Sequence, residues 1–209
     1  MKTQIKLCGF TNIADVKYAV SLNIDYLGMI FVDNTPRKIN TTVAKEAVKI
    51  CHDNNVKSVG VFLNHDPPQI QAILENVDLD VLQLHGSELI KNYYELSKEI
   101  IKTIHVNDIK DISNLISENN CSYLVDSTDQ NMHGGTGSTF DWDIIGKEIA
   151  HKVIIAGGLR PNNILNLLRN YSPMGVDTSS GIEKSIGLKD HDLIKDFVTC
   201  IRDYDEEKN

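Results

Sequence analysis

Two short turns in the last third of the chain have the composition of an anion-binding grip. A β-branched run, Val153–Ala156, stops at Gly157-Gly158, and a second run from Gly175 to Asp177 leads into Ser179-Ser180-Gly181. Small residues let backbone N–H groups close on a ligand, and bare amides at a tight turn or helix start suit a phosphate. Gly157, Gly158, Ser180 and Gly181 are therefore candidate phosphate ligands, although two tight turns without any ligand would be written the same way. Other apolar runs upstream end in residues able to move protons or bind anions. The first delivers Cys8 beside Gly9, and the second leads to Arg37 through FVDNTPR. The fourth ends in Gln83-Leu84-His85-Gly86, the sixth delivers Asp126, and the eighth delivers Asp177. Each also has a plain reading. Cys8 could be a small buried apolar residue, and Asp126 could start a turn. Arg37, next to Lys38, could be a solvated surface cation, and His85 a satisfied core histidine. Asp177 could simply brace its loop.

These residues lie far apart in sequence, so the elements between them must bring them together. Short apolar runs recur at Ile5–Leu7, Tyr26–Phe31, Ser58–Phe62, Val81–Leu84, Ile100–Ile104, Tyr123–Val125, Val153–Ala156 and Gly175–Asp177. Segments of helical periodicity alternate with them: Asp15–Leu22, Val43–Asn54, Pro68–Leu74, Glu88–Lys98, Ile109–Glu118, Trp142–Ala150, Asn162–Asn170 and Asp192–Tyr204. Val43, Ala47, Val48 and Cys51 fall at helical spacing and predict a buried stripe. The strands are continuously apolar, as in a parallel sheet covered by helices. Eight strand–helix units in 209 residues predict a single-domain α/β fold, a (β/α)8 TIM barrel with short loops spanning residues 1–209. An open doubly wound sheet would normally use fewer strands, and Cys8-Gly9-Phe10 stands where a dinucleotide fold would carry its glycine fingerprint. The one long irregular connection, Ser127–Thr139, contains HGGTG and is expected to act as a lid over the strand-end face. It lacks the helical run and lysine of a P-loop.

The charge balance narrows the function class. A net charge of −8 and a pI near 5.3 argue against a general nucleic-acid or acidic-membrane surface. Neither a signal-peptide stretch nor a membrane-length apolar run is present. The four cysteines, Cys8, Cys51, Cys121 and Cys200, form no CxxC pair, so no zinc knuckle or disulfide framework is indicated. A reduced, cytoplasmic setting is expected, with a small phosphorylated molecule as the partner.

Five blocks carry a more specific likeness: KLCGFT at 6–11, QLHG at 83–86, Asp126 followed by GGTGSTFDW at 134–142, AGGLRPNN at 156–163 and VDTSSGIE at 176–183. In this order, and reaching almost from end to end, they resemble the signature set of the phosphoribosylanthranilate isomerase family. Leu7, Phe10 and Thr178 depart mildly from its pattern, and none is a reacting group. The resemblance implies an Amadori rearrangement of N-(5'-phosphoribosyl)anthranilate in tryptophan biosynthesis. An acid opens the furanose ring to a Schiff base, and a base takes the proton from the sugar C2'. No cofactor and no metal is implied. Cys8 matches the family's general base; its ordinary pKa of about 8.5 requires a moderate push toward thiolate. Asp126 matches the general acid and must be raised from about 3.9, a desolvation that closure of the 127–139 loop would supply. Asp129, inside that loop, is the rival. Arg37 is expected to face the anthranilate carboxylate with its planar fork, while His85 and Asp177 are expected to contact substrate. Lys184 and Lys189 lie near the phosphate turns without needing to touch the ligand. The chain is expected to work as a monomer or homodimer. Other phosphosugar barrels, of the epimerase or indole-glycerol-phosphate synthase type, and a non-catalytic phosphate-binding barrel are the alternatives. The first would want more His and Asp ligands at strand ends, and the second would want Lys and Glu where Cys8 and Phe31 stand.

Overall fold

Period-2 alternation decides which side chains reach the centre of the molecule. On β1 (Gln4–Cys8), Ile5 and Leu7 point outward into the main apolar core with Val16 and Ala19 of α1 (Ile13–Val20), so Lys6 and Cys8 point inward. The other barrel strands are β2 (Tyr26–Ile30), β3 (Lys57–Phe62), β4 (Val81–Leu84), β5 (Glu99–His105), β6 (Ser122–Asp126), β7 (Ile154–Ile155) and β8 (Gly175–Thr178). All pair in parallel in chain order, and β8 returns to β1 with Lys6 opposite Asp177, closing an eight-stranded barrel. The structure is a computed structural model and describes residues 2–105, 121–126 and 142–208. The expected helix at 109–118, the 127–139 connection and Asp129 lie outside the described residues.

Two cores divide the work. The larger one lies between barrel and helices, and a smaller one of Val59, Val81, Ile101, Leu124, Ile154 and Ala156 fills the barrel interior. Because every strand runs the same way, all eight C-terminal ends open on one rim, where barrel enzymes place their chemistry.

Capping explains several helix starts. Asn12 accepts from Asp15 N at the head of α1, and Asn40 accepts from Thr42 N at the head of α2 (Thr41–Asp53). Asp66 and Gln69 form a reciprocal capping box on α3 (Pro67–Leu74). The buried stripe of α2 is Ala44, Ala47, Val48 and Cys51, so Ala44 takes the place expected for Val43.

Three helical expectations are corrected. The span 88–98 holds a 3-10 helix, Ile90–Leu96, that buries only Tyr93, has no side-chain cap and ends at Ser97 with φ 53°. The span 142–150 breaks at Gly146, φ 67°, into a 3-10 turn, Trp142–Ile144, and the short α4 (Lys147–Ala150). The segment after Pro161 becomes helical only at α5 (Ile164–Tyr171), because Asn163 turns its side chain back to Arg160 N and Gly158 O. After β8 comes a small hairpin, β9 (Glu183–Ser185) and β10 (Leu188–Lys189), then α6 (His191–Glu207), which buries Ile194, Phe197, Val198, Ile201 and Tyr204.

Candidate active site

Cys8 ends β1 with its sulfur inside the rim. Its neighbour across the ladder is Gly28, where a Cβ would lie 2.6 Å from the sulfur, so the glycine is what leaves the thiol its space. One turn of the pleat below, the fully buried Lys6 ammonium bonds Asp177 Oδ1 at 3.0 Å. Burial pushes the Cys8 thiol above its ordinary value; Lys6 and Lys189 pull it back, and the Asp177 charge adds to the rise. Burial also works against the Lys6 charge, but Asp177 and Cys8 outweigh it and hold that ammonium more firmly than an ordinary lysine.

Asp126 ends β6 on the same rim, three strands from Cys8 through β7 and β8. His85 sits beside it, Nε2 to Oδ2 4.0 Å, with the His105 ring edge-on at 5.7 Å between centroids. Gln83 Nε2 donates to Thr103 Oγ1 at 3.1 Å, so the threonine hydroxyl can give its proton to His85 Nδ1, 3.1 Å away. That chain leaves the imidazole proton on Nε2, facing Asp126. Burial lowers the His85 pKa against the pull of Asp126, which keeps the ring neutral near pH 7. His85 is thus a half-buried partner of Asp126, tied into the barrel through Thr103.

Arg37 is buried, which removes its reading as a solvated surface cation. Its Nε and Nη2 donate to Glu183 Oε1 at 2.9 Å and Oε2 at 2.7 Å, a bidentate pair at the start of the hairpin. Lys189, also buried, donates to the same Glu183 Oε1 and to Ser179 O, both at 3.0 Å. Burial would raise Glu183, but the two cations hold its carboxyl below the usual glutamate range. Gly9, φ 79°, brings the backbone after Cys8 against this group: a Cβ there would lie 2.6 Å from Ser179 Oγ and 3.2 Å from Arg37 Cδ.

The two candidate phosphate turns meet. Gly157 and Gly158 both hold positive φ, 90° and 62°, which a side chain would resist. Gly181 packs so closely that a Cβ would fall 1.8 Å from Leu159 O, and Thr178 Oγ1 donates to that carbonyl at 2.7 Å. Asn163 Nδ2 ties Gly158 O at 3.0 Å. Ser180 opens a short 3-10 turn directly after β8. Ser179 Oγ is buried and has no protein partner.

All nine residues singled out from sequence therefore belong to one rim or to the layer beneath it. Sequence reasoning missed Lys6 and Glu183 and undervalued Lys189. The signal for Lys6 was there, since it stands two residues before Cys8 and must share its face. Glu183 and Lys189 gave none, because their meeting depends on a hairpin that local pattern did not show. Among the described residues no group of three or more His, Cys, Asp or Glu side chains is placed to hold a metal ion. Nor is any helix among them long and apolar enough to cross a membrane.

Comparison with known proteins gives a consistent answer. The family model for N-(5'-phosphoribosyl)anthranilate (PRA) isomerase matches residues 5–200. An N-(5'-phosphoribosyl)anthranilate isomerase from Listeria monocytogenes is 37% identical over 196 residues, covering 93% of this chain and 96% of the relative. The crystal structure of the phosphoribosyl anthranilate isomerase from Thermotoga maritima superposes with a TM-score of 0.83 at 31% identity, over 96% of this chain and 99% of that one. A further isomerase structure, in complex with reduced 1-(o-carboxyphenylamino)-1-deoxyribulose 5-phosphate, superposes at 0.79 with 29% identity over the same shares.

Proposed function

The chain belongs to the N-(5'-phosphoribosyl)anthranilate isomerase family, and from that premise we propose how its own residues share the reaction. The protein is an aldose–ketose isomerase of tryptophan biosynthesis. It converts N-(5'-phosphoribosyl)anthranilate to 1-(2-carboxyphenylamino)-1-deoxyribulose 5-phosphate. In our reading Asp126 protonates the furanose ring oxygen, the C1'–O bond breaks, and the nitrogen lone pair closes a C1'=N Schiff base. Cys8, as thiolate, then takes the C2' proton, the released electron pair forms the enolamine C1'=C2' bond, and the C1'=N pair returns to nitrogen. Protonation at C1' and loss of the enol proton give the ketone, so atoms and electrons balance within one substrate.

Binding follows from charge. Arg37 faces the anthranilate carboxylate, Asp177 and His85 lie against the sugar, and the amides of Gly157, Gly158, Ser180 and Gly181 take the 5'-phosphate. The observation that carries this division is the position of Asp177. It sits on the rim strand between the two proton-transfer groups, and its charge acts on Cys8 while it feels that of Asp126. A thiol and a carboxyl from distant parts of the chain thus stand at the ends of β1 and β6 on the rim that also carries the glycine turns. The solved isomerase bound to the reduced product supports a phosphorylated ligand for the same fold. A cytoplasmic setting, in which four unpaired thiols stay reduced, belongs to this reading, as does a monomer or homodimer with each site made from one chain.

The test is direct. Cys8→Ala and Asp126→Asn should each lower kcat about 10²–10⁴-fold, the usual contribution of a general acid or base. Binding of the reduced product analogue should stay within a few-fold. Full turnover by Cys8→Ala would overturn the base assignment.

A further inference from the structure

Lys6 is a buried charge that the reaction scheme does not use. Lysine is almost never fully buried unless it is paired, and the Asp177 carboxylate, 3.0 Å away, supplies the pair. A buried ion pair nevertheless gives the fold little that apolar residues would not, and the inner core of Val59, Val81, Ile101, Leu124 and Ile154 shows this barrel filling its centre with such residues elsewhere. What distinguishes the Lys6 position is its neighbour. Lys6 and Cys8 are alternate residues on the inward face of β1, so the buried ammonium that bonds Asp177 shares its side of the strand with the sulfur, and its charge acts on the thiol.

We propose that Lys6 is a positioning residue for proton transfer at Cys8, its buried ammonium favouring the charged sulfur against the burial that disfavours it, while Asp177 holds the ammonium. The inference rests on the reading of Cys8 as the base. A cation beside a thiol in a water-poor interior favours the charged sulfur far more than it would in solvent. When the thiolate takes the C2' proton it becomes neutral, the C–H electron pair passes into the enolamine, and Lys6 keeps its proton throughout. Asp177 then remains its partner, so the ammonium is stranded in neither state of the sulfur. Among the described residues the other charged or titratable groups that act on this centre are Lys189 of β10, Arg37 from the connection after β2, Asp126 of β6 and His85 after β4. Of the charges acting on Cys8, Lys6 is the strongest.

The experiment measures the Cys8 thiol directly. In a Cys121→Ser, Cys200→Ser background, the rate of alkylation by iodoacetamide is followed against pH beside the pH profile of kcat/KM. Burial pushes the remaining Cys51 up to about 12, so it stays protonated and silent. Lys6→Met should move the thiol midpoint, and with it the acid limb of kcat/KM, upward by about one pH unit or more. Asp177→Asn should move the thiol midpoint downward, because a negative charge is gone and Lys6 is released to the sulfur alone. Lys6→Arg, which keeps the charge, should stay near the parent. A bracing role would cost stability in these variants but leave the midpoints in place, and unmoved midpoints in folded protein overturn the proposal. If Lys6→Met does not fold, Asp177→Asn and the double variant decide; the double variant should titrate above the parent, since the stronger of the two influences is lost. Cys8→Ala separates the layers. If it keeps its turnover, the base reading fails; if it is inactive while the midpoints stay fixed, only the role of Lys6 fails.

Discussion

The Arg37 guanidinium meets a carboxylate of its own chain. Glu183 takes the Nε–Nη2 edge with both oxygens and accepts from Lys189 as well, so one anion fixes the plane of the guanidinium between two cations. A guanidinium fixed in this way binds a planar carboxylate with less ordering cost than a free one. Arg37→Ala should therefore raise KM for the phosphoribosylanthranilate substrate with kcat little changed, the mark of lost uniform binding. Glu183→Gln, whose amide has one acceptor oxygen for two cations, should raise KM in the same sense by about tenfold, in line with the strength of a charge-assisted hydrogen bond. Steady-state kinetics on both variants decide the point. A Glu183→Gln enzyme with parental KM, or one impaired only in kcat, would refute the orienting role. At this scale the sequence was legible where residues stood at strand ends: Cys8, Asp126 and Asp177 are where alternation and an eightfold count put them. Arg37 was legible as a cation, but its partner was not, because Glu183 lies 146 positions away and no local pattern links the two.

Elements, more than single side chains, make the turns proposed to hold the phosphate. Strands β7 and β8 end side by side, and the loops that follow touch at Gly181 and the Leu159 carbonyl. The contact is backbone against glycine, so there is no side chain to move aside. Gly181→Ala, with a Cβ 1.8 Å from that oxygen, must therefore separate the two loops. The expected outcome is a loss of at least tenfold in affinity for inorganic phosphate or the reduced product analogue, measured by calorimetry, with the barrel's circular dichroism retained; this is about 1.4 kcal/mol or more of binding energy. Unchanged affinity would show that the junction of the loops does not shape the anion site. The alternating strand and helix pattern was readable here because buried parallel strands are written as short continuous apolar runs. Helix quality was less readable. Ile90–Leu96 stayed 3-10 with one buried side chain, and Gly146 cut the following helix short.

Closure of the whole barrel depends on holding the two ends of the chain together, because β1 carries Lys6 and Cys8 while β8 carries Asp177 and leads into α6. Asp205 on α6 accepts from Thr3 N at 3.1 Å and from Thr3 Oγ1 at 2.7 Å. Arg202 on the same helix donates to Thr3 O at 2.7 Å and to Asp25 Oδ2 at 2.9 Å, reaching the start of β2. The last helix thus grips the first strand by its backbone, below the β1–β8 ladder that sets Lys6 opposite Asp177. The eightfold repeat announced the closed barrel, but nothing local in the sequence pairs residue 3 with residue 205, since the pairing exists only once the barrel has closed. Asp205→Ala would leave the buried Thr3 donors without this acceptor, at a cost of about 1–3 kcal/mol. In urea the midpoint should fall with the slope unchanged, because the same surface is still exposed on unfolding. The consequence for the reaction should be indirect: in the folded variant at low denaturant the Cys8 alkylation midpoint stays at the parental value, because Lys6 and Asp177 still face each other across the ladder. A shift in that midpoint without a loss of stability would mean that the terminal clamp sets the chemistry of the rim instead of merely keeping the barrel closed beneath it.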